Sequence, residues 1–550
     1  MTTCFFARAK DRLIALTILF VSGLLTGCGG EPAPDSVSKL QFATLSGDVQ
    51  LKTTAPASLQ AFAAARFLDH ASWGPTLADI QQVQRLGLEG WINQQINTPS
   101  SQIGTPSFIT TFDPFGNPAA EEFARYWVQL QAHDLSMAGP DQLRQRVAWA
   151  IFNFIPVQSR PYGDAIYYNL LSSHAFGSYR NLLKSITLDP GMGFFLNNNQ
   201  NKLREPNENF ARELMQLFSI GLVMLNPDGS PIRDSQGMPL QTYSPTDVTA
   251  ATRALSGWSN HWEENLPQSN FANFGKPMRA YEEHHDKGEK KLLGTVLREG
   301  QSAEQDLNQV LDLLMAHPNT APFVSTRLIQ NLVSSDPSPQ YIQRVATVFR
   351  SSSGNLGETV KAILLDPEAR RGDDPKIKPS GGRMKEPLLH TISLLRAMGC
   401  RAMVRNVENL NEPIWISQNR FVPGTVFGFV SPFHRAPQSL TLAPEQRLLN
   451  TSELSRRAGN LSRYIRDGGE KQFTDAGCEL GLLTAAANAS DEHLIRLLSE
   501  RMFKGAMPAA LQNGARQLLK APETASRPPL EKAMNLVDVL SITPSYGVIQ

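Results

Sequence analysis

Cysteine is scarce, with four in 550 residues. None stands in a CxxC pair, so zinc-ribbon and dithiol redox motifs have no support. Charge of neither sign prevails: 52 Lys and Arg face 51 Asp and Glu, for a net charge of +1. A nucleic-acid binder would carry a basic stripe, and none is visible, so no nucleic-acid partner is expected. A phosphate loop, a dinucleotide fingerprint and a nucleophile elbow are also missing. The stretch NPDGSPIRDSQG superficially follows a calcium loop, but Pro231 stands where an EF-hand needs glycine. What remains is an ordinary folded composition, 41% hydrophobic and 19% charged, in a chain long enough for two or more cores.

The first residues carry a different kind of information. Arg8, Lys10 and Arg12 precede an apolar run from Leu13 to Leu25, the pattern of a secretory signal. That run is shorter than the roughly 20 residues that span a bilayer. Leu25-Thr26-Gly27-Cys28 resembles a bacterial lipobox, in which the cysteine is acylated and becomes the mature N-terminus. Small residues before Cys28 admit a peptidase, and several acyl chains anchor stably where one would not. Gly29 stands where an inner-membrane retention signal would usually be Asp, so the resemblance implies an outer-membrane lipoprotein facing the periplasm or the cell surface. Residues 1–27 are therefore expected to be a signal peptide. Residues 28–56, rich in Pro, Ser, Thr and Gly, are expected to be the lipidated cysteine and a flexible tether. With Cys4 removed and Cys28 lipidated, Cys400 and Cys478 remain. In an oxidising compartment they could pair and close a long loop, worth about 4 kcal/mol by chain entropy, or stand as two buried thiols.

Helical periodicity dominates from residue 57 onward, in segments such as LADIQQVQRLGLEGWINQQI, DQLRQRVAWAIFNFI, TAPFVSTRLIQNLVS and KEPLLHTISLLRAMG. Strand signals are few. LVMLNPDGSPIRDSQGMPLQTYS reads as a small β meander with turns at Pro-Asp-Gly and Gln-Gly, and MRAYEEHHDKGEKKLLGTVL as a hairpin turning at Asp286-Lys287-Gly288. The expected fold is mainly α, a multi-helix globule with small β-hairpin insertions. Its main domain would cover 57–400, with a loop-rich and helical region over 401–550 packed on it. Between Pro423 and Pro444 the periodicity fades and Pro, Gly and Phe accumulate, as in a long ordered loop lying over helices.

Chemistry-bearing residues concentrate in REPNENFARELMQLFSIGL, residues 204–222. Pro206 suits the first turn of a helix, with Glu205 or Asn207 capping it. Glu208 and Arg212 stand four apart, the spacing of a solvated ion pair worth about 0.2–0.5 kcal/mol. Glu213 falls on the flank of the apolar arc, with Asn209 one turn before it. A carboxylate there either pairs internally, with Arg253 or Arg180, or has the raised pKa that a general acid needs. The amides of NNNQN, including Asn199 and Asn201, suit sugar hydroxyls and peptide groups, and Asn is equally a plain turn former. Binding contacts are expected from these two together with Asn207, Asn209 and Arg212. His284 and Asp286 could share a metal on a strand, whereas His284 and His285 would point to opposite faces. A third ligand, such as His174 or Glu213, would be required. The plainer reading is a turn beside a solvated histidine. No motif specifies any other cofactor.

RFLDHASWGPTLADI, QLRQRVAWAIF, HAFGSYRNLL and LDPGMGFFL occur in that order, followed by PNENFARELMQLFSIGL, DVTAATRALSGW, HHDKGEKKLLG and LMAHPNTAPFVSTRLIQNLV. With KEPLLHTISLLRAMG and the terminal LVDVLSITPSYGVIQ, the series resembles the bacterial family known as domain of unknown function 1800. The resemblance runs from about residue 60 to the C-terminus and implies an exported, largely helical protein with no established reaction to carry over. Many relatives have HNHF where this chain has IFNF at Ile151 to Phe154, so any metal role of that histidine pair does not extend here. Two functions are consistent with these features. One is a lipid-anchored envelope factor that binds or helps assemble a partner. The other is a hydrolase or lyase acting on an envelope glycan or peptidoglycan, with Glu213 or Glu208 as acid and His284 or Asp286 as second group.

Overall fold

A computed structural model describes residues 59–104, 118–159, 161–261, 274–377, 381–404 and 417–550. The signal segment, Cys28 and the tether lie outside the described residues. Helices of eight or more residues follow one another as α1 (Ala61–Ala71), α2 (Leu77–Asn97), α3 (Pro118–Ala138), α4 (Gln142–Phe154), α5 (Pro161–His174) and α6 (Tyr179–Thr187). Then come α7 (Asn209–Gln216), α8 (Pro245–Ala254), α9 (Ala303–Ala316), α10 (Thr320–Leu332), α11 (Pro339–Ser351), α12 (Leu356–Leu365) and α13 (Pro387–Ala397). The C-terminal part supplies α14 (Leu480–Ala489), α15 (Asp491–Phe503), α16 (Ala509–Lys520) and α17 (Pro529–Ser541). The strands form three antiparallel two-stranded pairs: β1 (Trp258–Ser259) with β2 (Arg279–Ala280), β3 (Lys290–Leu292) with β4 (Thr295–Leu297), and β5 (Arg383–Met384) with β6 (Val548–Ile549). The fold is therefore mainly α with small hairpins. No helix among the described residues is long and apolar enough to cross a membrane.

Local chemistry sets the helix starts. Thr76 and Asp79 form a reciprocal capping box on α2, and Ser244 with Asp247 does the same on α8, where Pro245 opens the first turn. At the centre lies α4, buried along its length except at Asn153 although its sequence carries Arg144, Gln145 and Arg146. Burial of such groups requires partners. Arg144 donates to the carbonyls of Ser172, Ile96 and Thr98, and Gln142 Nε2 to that of Gly139 at 3.0 Å. Trp149 and Phe152 stack 5.6 Å apart, and Phe429 of the 423–444 loop covers both, so the loop does lie over helices. One apolar cluster extends from Ala64 to Ile549 and includes residues on both sides of position 400.

Two expectations need correction. The segment LADIQQVQRLGLEGWINQQI is not one straight helix, because Gly87 (φ 72°) breaks it. The two halves fold back far enough for Gln82 Nε2 to donate to Gln94 Oε1 at 2.8 Å. In an unbroken helix these positions would lie about 18 Å apart. The second hairpin turns at Leu293 (φ 48°) and Gly294 (φ 79°), not at Asp286-Lys287-Gly288. A two-residue hairpin turn of type I′ needs positive φ at both positions. Leucine tolerates it here because its N–H is held by Asp247 Oδ1 at 2.8 Å. The meander over 222–244 is present as isolated bridges (Val223↔Gln241, Leu225↔Pro231, Arg233↔Pro239), with turns at Gly229 and Gly237 as expected. Cys400 and Cys478 are joined by a disulfide.

Candidate functional site

Helix α7 is shorter than its periodicity suggests and starts at Asn209, with Glu208 at the cap position. Pro206 precedes the helix rather than opening it, and Asn207 Oδ1 accepts the N–H of Asn209 at 3.2 Å. Glu208 and Arg212 form the expected exposed ion pair. Ser219 lies past the end of the helix and is buried, and its hydroxyl donates to Leu214 O.

Glu213 is half-buried, and its Oε2 is shielded from water with no hydrogen-bond partner. Burial raises its pKa, partly offset by the charge of Arg212. The internal pairing expected with Arg253 or Arg180 does not occur: Arg253 clasps Asp286 and Arg180 pairs with Asp312. The charge of Glu213 instead acts on Tyr243, whose buried hydroxyl also lacks a partner.

Asp286 belongs to a different cluster. Arg253 grips it through Nε at 2.7 Å and Nη2 at 3.0 Å. Burial alone would raise this carboxyl, but the Arg253 hydrogen bonds and the Gly288 N–H outweigh it and hold the pKa below the usual value. His284 is exposed, whereas His285 is buried, with Nδ1 2.9 Å from Ser256 O and Nε2 3.2 Å from Asp306 Oδ2. Lys290 Nζ lies 2.7 Å from the same Asp306 oxygen. Neither His285 Nε2 nor Asp306 Oδ2 makes a hydrogen bond. The segment 284–286 is a turn and not a strand, so the alternation invoked for His284 and Asp286 does not apply. Among the described residues no group of three His, Cys, Asp or Glu side chains could hold a metal ion.

The amides divide similarly. Asn201 is buried and fully engaged: Nδ2 donates to Thr252 O at 2.8 Å and Oδ1 accepts Asn207 N–H at 3.1 Å. Asn199 is half-buried with an unpartnered Oδ1, and Asn209 is exposed. The structure thus wires Asn201 and Asn207 to the backbone around α7 and α8, and it leaves Glu213 and Asp286 in separate charge clusters.

A groove of about 560 Å³ lies elsewhere. One wall is the folded-back α2, which presents Asp79, Gln82 and Gln94. The opposite wall carries Arg396, Arg401 and the Cys400 end of the disulfide, and Glu479, Glu500 and Arg501 close one side. Arg396 Nη2 donates to Asp79 Oδ2 at 2.7 Å, and Arg501 bonds Glu479. Burial raises the Glu500 pKa against the pull of Arg496, His493 and Arg501. Its volume falls within the range of roughly 300–1,000 Å³ typical of ligand sites. The local signal for this groove was Gly87 within an otherwise helical segment, but where the two halves point is a tertiary matter.

A family model, protein of unknown function (DUF1800), matches residues 66–548. No curated protein and no solved structure matches the chain.

Proposed function

The chain belongs to the DUF1800 family, and on that premise we propose that it is a lipid-anchored cell-envelope protein that binds an envelope partner. The groove between α2 and the disulfide-clamped segment is the single observation that carries this reading. Gln82 and Gln94 line it with neutral donors and acceptors, and two of its three arginines are paired with two of its three carboxylates, at Arg396–Asp79 and Arg501–Glu479. Such a surface suits an extended polar ligand with hydroxyls and amides, such as peptidoglycan, better than a strongly charged one. The disulfide supports an oxidising compartment, and the lipobox-like Leu25-Thr26-Gly27-Cys28 supports an acyl anchor at Cys28.

Two measurements test it together. Cys28→Ser should shift the protein from the membrane fraction to the soluble fraction. Detergent-purified full-length protein, titrated with soluble peptidoglycan fragments in a calorimeter, should bind saturably. The Gln82→Ala/Gln94→Ala variant should bind at least tenfold more weakly. Equal affinity in the two proteins, or no saturable heat in either, would remove the groove from the proposal.

A further inference from the structure

Beneath the 423–444 loop, at the end of α4, buried arginines outnumber carboxylates. Glu386 is 4% exposed and accepts from Trp149 Nε1 at 2.5 Å and from Arg383 Nη2 at 3.1 Å. Three guanidiniums look to this one carboxylate: Arg383 (3% exposed), Arg146 (0%) and Arg420 (0%). Arg420 spends its Nη groups on Tyr168 Oη and Ser136 Oγ. Arg146 gives Nη2 to Asn331 O, leaving Nε and Nη1 without acceptors, and Arg383 likewise has Nε and Nη1 unpartnered. Burial, with Arg383 close by, pulls the Arg146 pKa down to about 9, as expected of crowded like charges. The other carboxylate of the cleft, Glu445, is taken by Ser335 Oγ and the N–H of Met384.

Two amides point to the same deficit. Gln418 is 2% exposed, and its Oε1 holds Leu388 N–H, but its Nε2 donates to nothing. Asn153, the one residue of α4 that escapes full burial, also has an idle Nδ2. The loop is pressed onto this spot. A Cβ at Gly428 (φ 81°) would stand 2.5 Å from the carbonyl oxygen of Asn153, so only glycine allows the approach.

Arg383, Gln418 and Asn153 all line a cleft of about 50 Å³, which Arg327, the paired Glu386 and Glu445, and the apolar Leu217, Phe427 and Phe429 also line. By the measure in which one water needs about 10–15 Å³, there is room for three to five water-sized groups. Water would satisfy the idle N–H groups but would leave the buried positive charge uncompensated, and buried charge without a counter-charge is strongly disfavoured. An anion corrects both deficits. Planar guanidinium and amide forks match a carboxylate edge, and the aromatic and leucine walls suit a small apolar body.

We propose that this cleft binds an organic carboxylate, its oxygens meeting Arg383, Asn153 and Gln418 and its apolar part lying against Leu217, Phe427 and Phe429. The cleft shares no lining residue with the α2 groove, so the proposal stands apart from the peptidoglycan reading.

The test is calorimetric titration of detergent-purified full-length protein with acetate and propionate at constant ionic strength in chloride. A tripeptide with a free C-terminus and its C-terminal amide form a second pair of ligands. Saturable binding of a carboxylate is expected, with inorganic phosphate at least tenfold weaker. Asn153→Asp, which would place a resident carboxylate at the same spot, should weaken carboxylate binding at least tenfold and raise the unfolding midpoint in chloride alone. Should that variant not fold, Gln418→Glu serves the same purpose. If the free tripeptide binds more tightly than acetate and its amide does not bind, the carboxylate is a chain terminus. If acetate and propionate win, it is a small acid. Wild-type protein that binds no carboxylate saturably, or phosphate binding as tight as carboxylate, would overturn the proposal.

Discussion

Replacing Cys400 and Cys478 together by alanine should cost most of what the cross-link removes from the unfolded chain. The two residues are 78 apart in sequence, and the loop-entropy relation for that length gives about 15 cal/mol/K, or about 4.5 kcal/mol at 25 °C. The folded state should change little, because backbone hydrogen bonds already zip the two segments together. Arg401 and Ala402 donate to Ala476 O at 2.8 and 3.1 Å, and Glu479 donates to Met398 O at 3.1 Å. The assay is urea denaturation of wild-type protein, oxidised and reduced, beside the Cys400→Ala/Cys478→Ala variant. Both the reduced and the variant protein should lose about 3–4.5 kcal/mol, the lower figure allowing for residual compactness of the unfolded chain. An unchanged midpoint would refute the entropic argument. A loss near twice the calculated value would refute the claim that the hydrogen-bonded zipper survives without the bond.

Two further predictions concern buried carboxyls. Burial pushes Asp164 and Asp189 up to about 7, in spite of the Arg125 ion pair at Asp164 and the Met192 and Gly191 N–H groups at Asp189. A carboxyl whose folded pKa is raised binds its proton more tightly folded than unfolded, so stability should fall as pH climbs from about 4 to about 7 and level off above. Asp189→Asn retains an acceptor for Met192 N–H, and thermal midpoints measured across that window should show a shallower decline than wild type. Glu213→Gln should slightly raise the midpoint at pH 7 and leave it unchanged at pH 4, because burial disfavours the ionised carboxylate while Arg212 only partly compensates. A destabilised variant at pH 7 would mean that Glu213 makes a favourable charge contact.

Much of the fold was legible because its signals are short-range. The apolar repeats and the turns at Gly229 and Gly237 act within a few residues. The Glu208–Arg212 pair was equally plain, since an i, i+4 spacing decides it. The site was legible only in part. Glu213 could be read either as paired internally or as raised in pKa; burial does raise it, and Arg253 and Arg180 are both drawn to acids on other elements. In the HHD run, His284 was the expected ligand, whereas the backbone turn buries His285 against Asp306, a residue of α9 that also meets Lys290.

The sequence by itself determined the helical class and, through the order of its motifs, the family, because those depend on local propensity and on residues close along the chain. Tertiary structure alone decided three things: that Cys400 meets Cys478, that Gln82 meets Gln94 across the break at Gly87, and that three arginines share Glu386. Each is a meeting of distant segments, set by how amphipathic faces bury one another. No local energy term encodes which face meets which.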